Sequence, residues 1–311
     1  MRRGLIMLAV LLTASPAHAG ETGKATDKTG LAADPAFAAF DDGRYVTALD
    51  LAKARAAAGE AAAHTLIGRI YAEGLGVDRD LRSAAEWYAK GAKLGDTNAM
   101  FALGMLHLAG SGVGKSYRVA ADWFEAAAAR GHGLAAYNLA LLYTSGDGRK
   151  RDMVKAAKLL RQAAEAGHAP AEYDLGVLYT KGEGVAPDDG EAAHWIGLAA
   201  EAGYVDAQVE YAILLFKGRG VAKDEARGAW FLLAAAEKGN PIAQNRLARL
   251  YAFGLVFEKH LPTAAKWHLI ARAAGASDLE LDVLISKLTP EQRAEAEAEA
   301  EAWRDRRAAY Y

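Results

Sequence analysis

The sequence has no cysteine. That absence excludes disulfides, thiolate metal sites and cysteine nucleophiles together. Proline is scarce, with seven residues in 311, against 73 alanines. Proline breaks helices most strongly and alanine favours them most, so an all-β, collagen-like or disordered chain is excluded. Neither sign of charge dominates: 37 basic residues face 39 acidic ones, for a net charge of -2. Nucleic acid requires a basic face, and none is expected here. Long apolar runs are missing too, and a bilayer span needs about 18 or more such residues. Length alone gives a prior of about two domains. The 32 glycines are the item in excess, too many for a simple helical bundle.

The first residues follow an export pattern. Met1-Arg2-Arg3 is a basic start, Gly4 to Leu12 a short apolar run, and Ala17-His18-Ala19 a cleavage signal. These three parts in order predict a signal peptide over residues 1–19, cut after Ala19, and a periplasmic or secreted protein. Residues 20–34 are small and polar and read as a flexible leader.

From Ala61 to Ala276 the chain repeats every 36 residues without an insertion. The six units are 61–96, 97–132, 133–168, 169–204, 205–240 and 241–276. Ala63, Ala99, Ala135, Ala171, Ala207 and Ala243 form one invariant column. The Gly74 and Gly95 columns are invariant as well, and a second loop glycine follows Gly74 by two residues in five units, with Val256 breaking the rule. An aromatic column runs Trp87, Trp123, Leu159, Trp195, Phe231, Trp267 and is expected to fill the space between units.

Each unit reads as two helices. In the second, Leu103, Leu106 and His107 fall at i, i+3, i+4, one turn after Ala99, so a helix A is predicted from about Asn98 to Ala109. The Gly74 column ends helix A. Asp80, Ser116, Asp152, Asp188 and Asp224 are good N-caps for helix B, and Asp188 with Glu191 makes a capping-box pattern. The Gly95 column closes helix B. Small residues such as Gly68, Gly104 and Gly176 let the paired helices approach closely. One such hairpin cannot bury its own apolar face, so the units must stack.

These residues resemble the Sel1-like repeat family, a relative of the tetratricopeptide repeats. The cleanest copy is Ala171 to Gly203, with Leu175-Gly176, Tyr179, Gly182-Glu183-Gly184-Val185, Asp188, Ala192, Trp195, Ala199-Ala200 and Gly203. The resemblance implies an all-α, right-handed α-α solenoid and an adaptor or scaffold role. The ends read as caps. Residues 35–60 form a half-repeat, with helices from Pro35 to Phe40 and from Tyr45 to Ala58. Residues 277–311 form C-terminal helices: Ser277 to Leu288, then a solvated Ala/Glu helix over Glu291 to Arg307, opened by Thr289-Pro290-Glu291-Gln292.

Catalytic signals are weak. Ala109 to Ser116 fits the permissive P-loop pattern, but a P-loop follows a strand and helix A precedes this one, so no nucleotide is expected. The eight histidines form no ligand set, and no metal or cofactor is expected; His107 reads as a packed inter-helix residue. None of the seven serines has lysine three residues on, as a serine β-lactamase motif requires. A secreted, cysteine-rich branch of the resembling family is linked to β-lactams, and its cysteines are missing here.

In tetratricopeptide-like solenoids the A helices line the concave face, so the resemblance points to a stripe at columns 98, 102, 105 and 109, spaced to share one helix face. Column 102 runs Leu66, Ala102, Asn138, Asp174, Glu210, Arg246, and column 109 carries Lys181 and Lys217. Variable polar residues inside a strict repeat, flanked by Tyr137 and Tyr173, are the candidate grip on a partner protein or extended peptide. The expectation is a non-enzymatic, exported interaction scaffold or regulator, for instance one that binds the sensor domain of a membrane kinase. The alternatives are an envelope hydrolase acting on β-lactams or peptidoglycan and a secreted effector.

Overall fold

A computed structural model describes residues 34–309. The export signal and nearly all of the leader lie outside the described residues. Among the described residues there are sixteen helices. The first two, α1 (Pro35–Asp41) and α2 (Tyr45–Ala57), form the N-terminal half-repeat. The A and B helices then alternate: α3 (Ala61–Glu73), α4 (Leu81–Lys93), α5 (Thr97–Ala109), α6 (Tyr117–Ala128), α7 (Gly133–Ser145), α8 (Met153–Glu165), α9 (Ala169–Lys181), α10 (Asp189–Glu201), α11 (Val205–Lys217), α12 (Glu225–Glu237), α13 (Pro241–Phe253) and α14 (Leu261–Ala273). Two C-terminal helices follow, α15 (Leu279–Ile285) and α16 (Pro290–Ala308). The chain divides into two compact units, one ending at Asp152 and one beginning at Met153, so the third repeat contributes a helix to each. In the first unit, each helix from α1 to α7 packs on its sequence neighbours. In the second, α8 to α14 do the same, α16 lies against α14, and α15 touches α13 and α14.

The turns follow from the repeat columns. Gly110 ends α5 in the left-handed region, at φ 74°, and its N–H caps the Leu106 carbonyl. The second loop glycine has a different cause. A Cβ on Gly220 would fall on the Asp189 carbonyl in the first turn of the preceding helix B, and one on Gly184 would fall on that of Met153. The loop therefore lies backbone on backbone against the previous repeat. Val256 keeps a negative φ, so the last repeat turns this corner differently, with Tyr251 and Phe257 stacked at 4.6 Å. Asp80, Ser116, Asp188 and Asp224 cap their helices through the side chain. In the last repeat the ring of His260 takes that place. The N-cap N–H also reaches back across the loop, as from Asp80 to the Tyr71 carbonyl at 2.9 Å and from Asp224 to that of Leu215 at 3.0 Å.

The core is an exchange of size between paired helices. The residue after the tryptophan column, running Tyr88, Phe124, Leu160, Ile196, Leu232, His268, is buried in every repeat. It seats against the Gly104 column of helix A: a Cβ on Gly104 would stand 2.6 Å from the Phe124 ring. The tryptophan column itself is buried at Trp195, Phe231 and Trp267 and half-buried at Trp87, Trp123 and Leu159. The bulk that fills the contact within each helix pair lies one residue later.

Three local expectations change. Asp188 accepts the Gly190 and Glu191 N–H groups, but the Glu191 carboxylate takes the Trp195 indole N–H at 3.1 Å, so it does not close the capping box. The helix read over Ser277 to Leu288 is shortened to α15, because Asp278 caps it at its start. His107 is half-buried rather than packed, and its Nδ1 meets the Gly114 carbonyl at 3.1 Å. The Thr289/Gln292 capping box does form, with Pro290 at the first helical position.

Candidate binding surface

The helix A stripe is best formed in the second unit. There α9 carries Tyr173, Asp174 and Lys181, α11 carries Glu210 and Lys217, and α13 carries Arg246. Tyr173 is the centre of a cluster. Its ring lies 5.4 Å from that of Tyr204, tilted by 51°. Its hydroxyl is pushed up to about 12, first by burial and then by the negative charges of Asp206, Glu210 and Asp174. Three carboxylates from two successive A helices thus bear on the hydroxyl of one half-buried tyrosine. Lys181 and Lys217 are exposed in the last turns of α9 and α11, where a cation suits the helix dipole. They stand seven residues from the column of Asp174 and Glu210, a rise of about 10 Å. Arg246 is exposed and makes no ion pair among the described residues. The face is therefore segregated, with an acidic band around aromatic rings and a basic edge.

Tyr137 and Asn138 are placed differently. Both belong to α7 in the first unit, and they are 7% and 8% exposed. The Asn138 amide donates to the Leu134 carbonyl of its own helix at 2.8 Å. Neither presents its polar atoms in the way the exposed lysines do. In column 105, Met105 is buried while Leu141 is exposed, so that column is part core and part surface.

Sequence reading missed two members of the cluster. Asp206 was visible as column 98 of the same stripe. Tyr204 was hidden because it stands in the N-cap position of α11, where neighbouring repeats use Asn240 or His168. A further polar column was also missed, running His64, Met100, Ala136, Glu172, Gln208, Gln244. Its polar members are buried, and the amides of Gln208 and Gln244 donate to the Ala200 and Ala236 carbonyls.

The P-loop-like segment at Ala109 to Ser116 follows helix α5 rather than a strand, and its residues are spent on the helix exit and on the N-cap of α6. No group of three or more His, Asp or Glu suited to a metal ion occurs among the described residues. Nor is any helix among them long and apolar enough to cross a membrane.

Comparison with known proteins agrees with the repeat fold. The Sel1 repeat family matches residues 61–96, 97–132, 133–168, 169–204, 205–240 and 241–275. The chain is similar to the crystal structure of a Sel1 repeat protein from Oxalobacter formigenes, at 30% identity and a TM-score of 0.69, over 77% of this chain and 98% of that one. It is also similar to c5321, a protective antigen present in uropathogenic Escherichia coli strains and displaying an SLR fold. That match has 28% identity and a TM-score of 0.56, over 82% of this chain and 64% of the other. No curated protein matches the sequence. Six consecutive matches on an all-helical chain of paired A and B helices make this a member of the Sel1 repeat family, whose solenoids are protein-interaction scaffolds.

Proposed function

We propose that the protein is an exported, non-catalytic scaffold that holds a partner protein or extended peptide on the A-helix face of its second unit. The observation that carries this reading is the contrast within one repeat. Columns that build the fold are nearly invariant, while Asp174, Glu210, Arg246, Lys181 and Lys217 vary in charge on a stripe that is half-buried at the two acids and exposed at the three bases. A ligand segment would place a cation among Asp174, Asp206 and Glu210, against the Tyr173–Tyr204 pair, where a cation over an aromatic face contributes about 0.5–2 kcal/mol. An acidic side chain about 10 Å further along would meet Lys181 and Lys217. Export rests on the basic, apolar and Ala-x-Ala order of the first nineteen residues. Regulation of an envelope signalling protein is the version that joins export to partner binding.

The test is crosslinking in cells followed by mass spectrometry, with the native protein and the Asp174→Arg/Glu210→Arg double variant. The variant is expected to lose the native partners by about tenfold or more, with its helical content unchanged. Unchanged yield of the same partners would overturn the binding face. Fractionation of the same cells is expected to place the mature chain outside the cytoplasm; a chain found only in the cytoplasm at full length would overturn export.

A further inference from the structure

The last repeat contains a departure that the binding face does not use. In the fifth repeat, Lys238 folds back over Gly203 and donates from Nζ to its carbonyl at 2.7 Å. A Cβ on Gly203 would stand 2.9 Å from that Nζ. One repeat later, the residues equivalent to Glu237 and Lys238 are Ala273 and Ala274. The two long side chains are gone, and a cleft of about 290 Å³ opens there, lined by Gly239, Gln244, Ile270, Ala273, Ala274, Trp303, Arg304 and Arg307. Its outer wall is α16. Trp303 fixes that wall by donating from its indole to the Glu237 carboxylate at 2.8 Å. Arg307 covers Gly239 in place of the lysine and donates to the Glu237 carbonyl at 3.3 Å.

The cleft has a consistent polarity. Arg304 uses Nε on the Ala300 carbonyl of its own helix at 3.2 Å, and it pairs with no carboxylate among the described residues. Gln244 is 1% exposed; its Nε2 is held by the Ala236 carbonyl, and its Oε1 has no partner. The same oxygen is unpartnered at Gln208, in the repeat where Lys238 closes over Gly203. Ile270, Trp303 and the two alanines supply an apolar wall. A guanidinium whose terminal nitrogens meet no carboxylate, beside an apolar wall, fits a carboxylate flanked by a small apolar group. The volume sits at the lower limit of small-ligand sites, about 300 Å³, and suits roughly one residue.

We propose that this cleft between α12, α13, α14 and α16 binds the carboxyl terminus of a polypeptide whose last residue is apolar. Arg304, beside Arg307, takes the carboxylate. The last side chain lies against Ile270 and Trp303. A cleft open to solvent on one side lets the rest of the chain run out. The proposal rests on the scaffold reading and gives it a second anchor on the partner.

The experiment titrates the protein with acetyl-Ala-Ala-Leu bearing a free carboxyl group, and separately with its carboxamide, followed at the Trp303 indole N–H by NMR. The free acid is expected to bind at least about tenfold more tightly than the amide. Arg304→Gln is expected to erase that preference. Ala274→Lys, which restores the fifth-repeat lysine, is expected to abolish binding; Ala274→Met serves as a second plug if the lysine perturbs folding. Equal binding of acid and amide, no binding at millimolar peptide, or native-like binding by a folded Ala274 variant would overturn the proposal. The Asp174→Arg/Glu210→Arg variant is expected to bind the peptide normally. Partner loss with retained peptide binding therefore separates the two readings, as does partner capture without peptide binding.

Discussion

Glu172 occupies a place where its neighbours in the repeat carry an amide. Gln208 and Gln244 donate to carbonyls eight residues upstream, at the end of the preceding helix B, at 3.3 and 3.0 Å. The equivalent acceptor for Glu172 is the Ala164 carbonyl, and a carboxyl can donate to it only when protonated. Glu172 is 6% exposed, and its Oε2 has no partner. Burial raises its pKa, and the charge of His194 opposes this weakly. A raised acid pKa means the folded state holds the proton more tightly. Its contribution is fully present below the unfolded value, near 4.5, and is lost as pH rises through the folded value. His168, lowered to about 4 by burial, acts oppositely, because the unfolded state takes up its proton first as pH falls. The difference between the native protein and Glu172→Gln isolates the glutamate. Urea unfolding is expected to show the variant more stable by about 1–3 kcal/mol at pH 7.5 and nearly equal at pH 4. A difference independent of pH would mean that the carboxyl does not titrate in this range. The invariant alanine and glycine columns, the helix caps and the exposed lysines were legible in the sequence. The buried Glu/Gln column was not, because periodicity marks helix faces and does not distinguish a buried amide clamp from a solvent-facing polar residue.

At the scale of paired helices, the repeat trades volume across one contact. Gly68 faces Tyr88, Gly104 faces Phe124 and Gly176 faces Ile196. Where helix A carries Ala140, Ala212 or Ala248 instead, helix B carries Leu160, Leu232 or His268. A six-membered ring or isoleucine at this site faces glycine, while leucine or the smaller imidazole of His268 faces alanine. Gly104→Ala puts its Cβ 2.6 Å from the Phe124 ring, and overpacking of this kind costs about 1–3 kcal/mol. In a Phe124→Leu background, which recreates the Leu160 and Leu232 pairing, the same substitution is expected to cost less than about 0.5 kcal/mol. Equal costs in both backgrounds, read from a double-mutant cycle in urea, would show that the two side chains do not share this contact. The alanine and glycine spacing made the close approach legible. The residue that fills the contact, one after the tryptophan column, was not singled out, because its identity changes from repeat to repeat. Helix ends were read well where a glycine or a capping Asp marks them. They were read poorly at α15, where Asp278 and Ser286 cap a helix shorter than the stretch read as one.

Across the whole molecule, a repeat chain is held by neighbour contacts, and each end must replace the neighbour it lacks. The second unit closes with α16, whose inward face is Ala296, Ala300 and Trp303. The Ala/Glu alternation made a solvated helix legible, but it concealed the anchor. Trp303 packs on Trp267 with ring centroids 6.1 Å apart, and its indole binds Glu237 across 66 residues of sequence. Lys266 pairs with Glu299 at 3.2 Å on the same contact, though its acid partner is largely exposed and adds little. Trp303 is the largest side chain that holds the cap. Trp303→Ala removes a buried aromatic, a loss of about 3–5 kcal/mol. In a chain whose stability is a sum of neighbour terms, that loss is expected to stay local. Hydrogen exchange is expected to accelerate over α16 and α14, with α1 to α6 keeping their native protection. Glu237→Gln keeps an acceptor for the indole and is expected to leave protection near native. If Trp303→Ala instead accelerated exchange evenly through both units, the chain would unfold as one cooperative block, and the neighbour-by-neighbour account of its stability would be wrong.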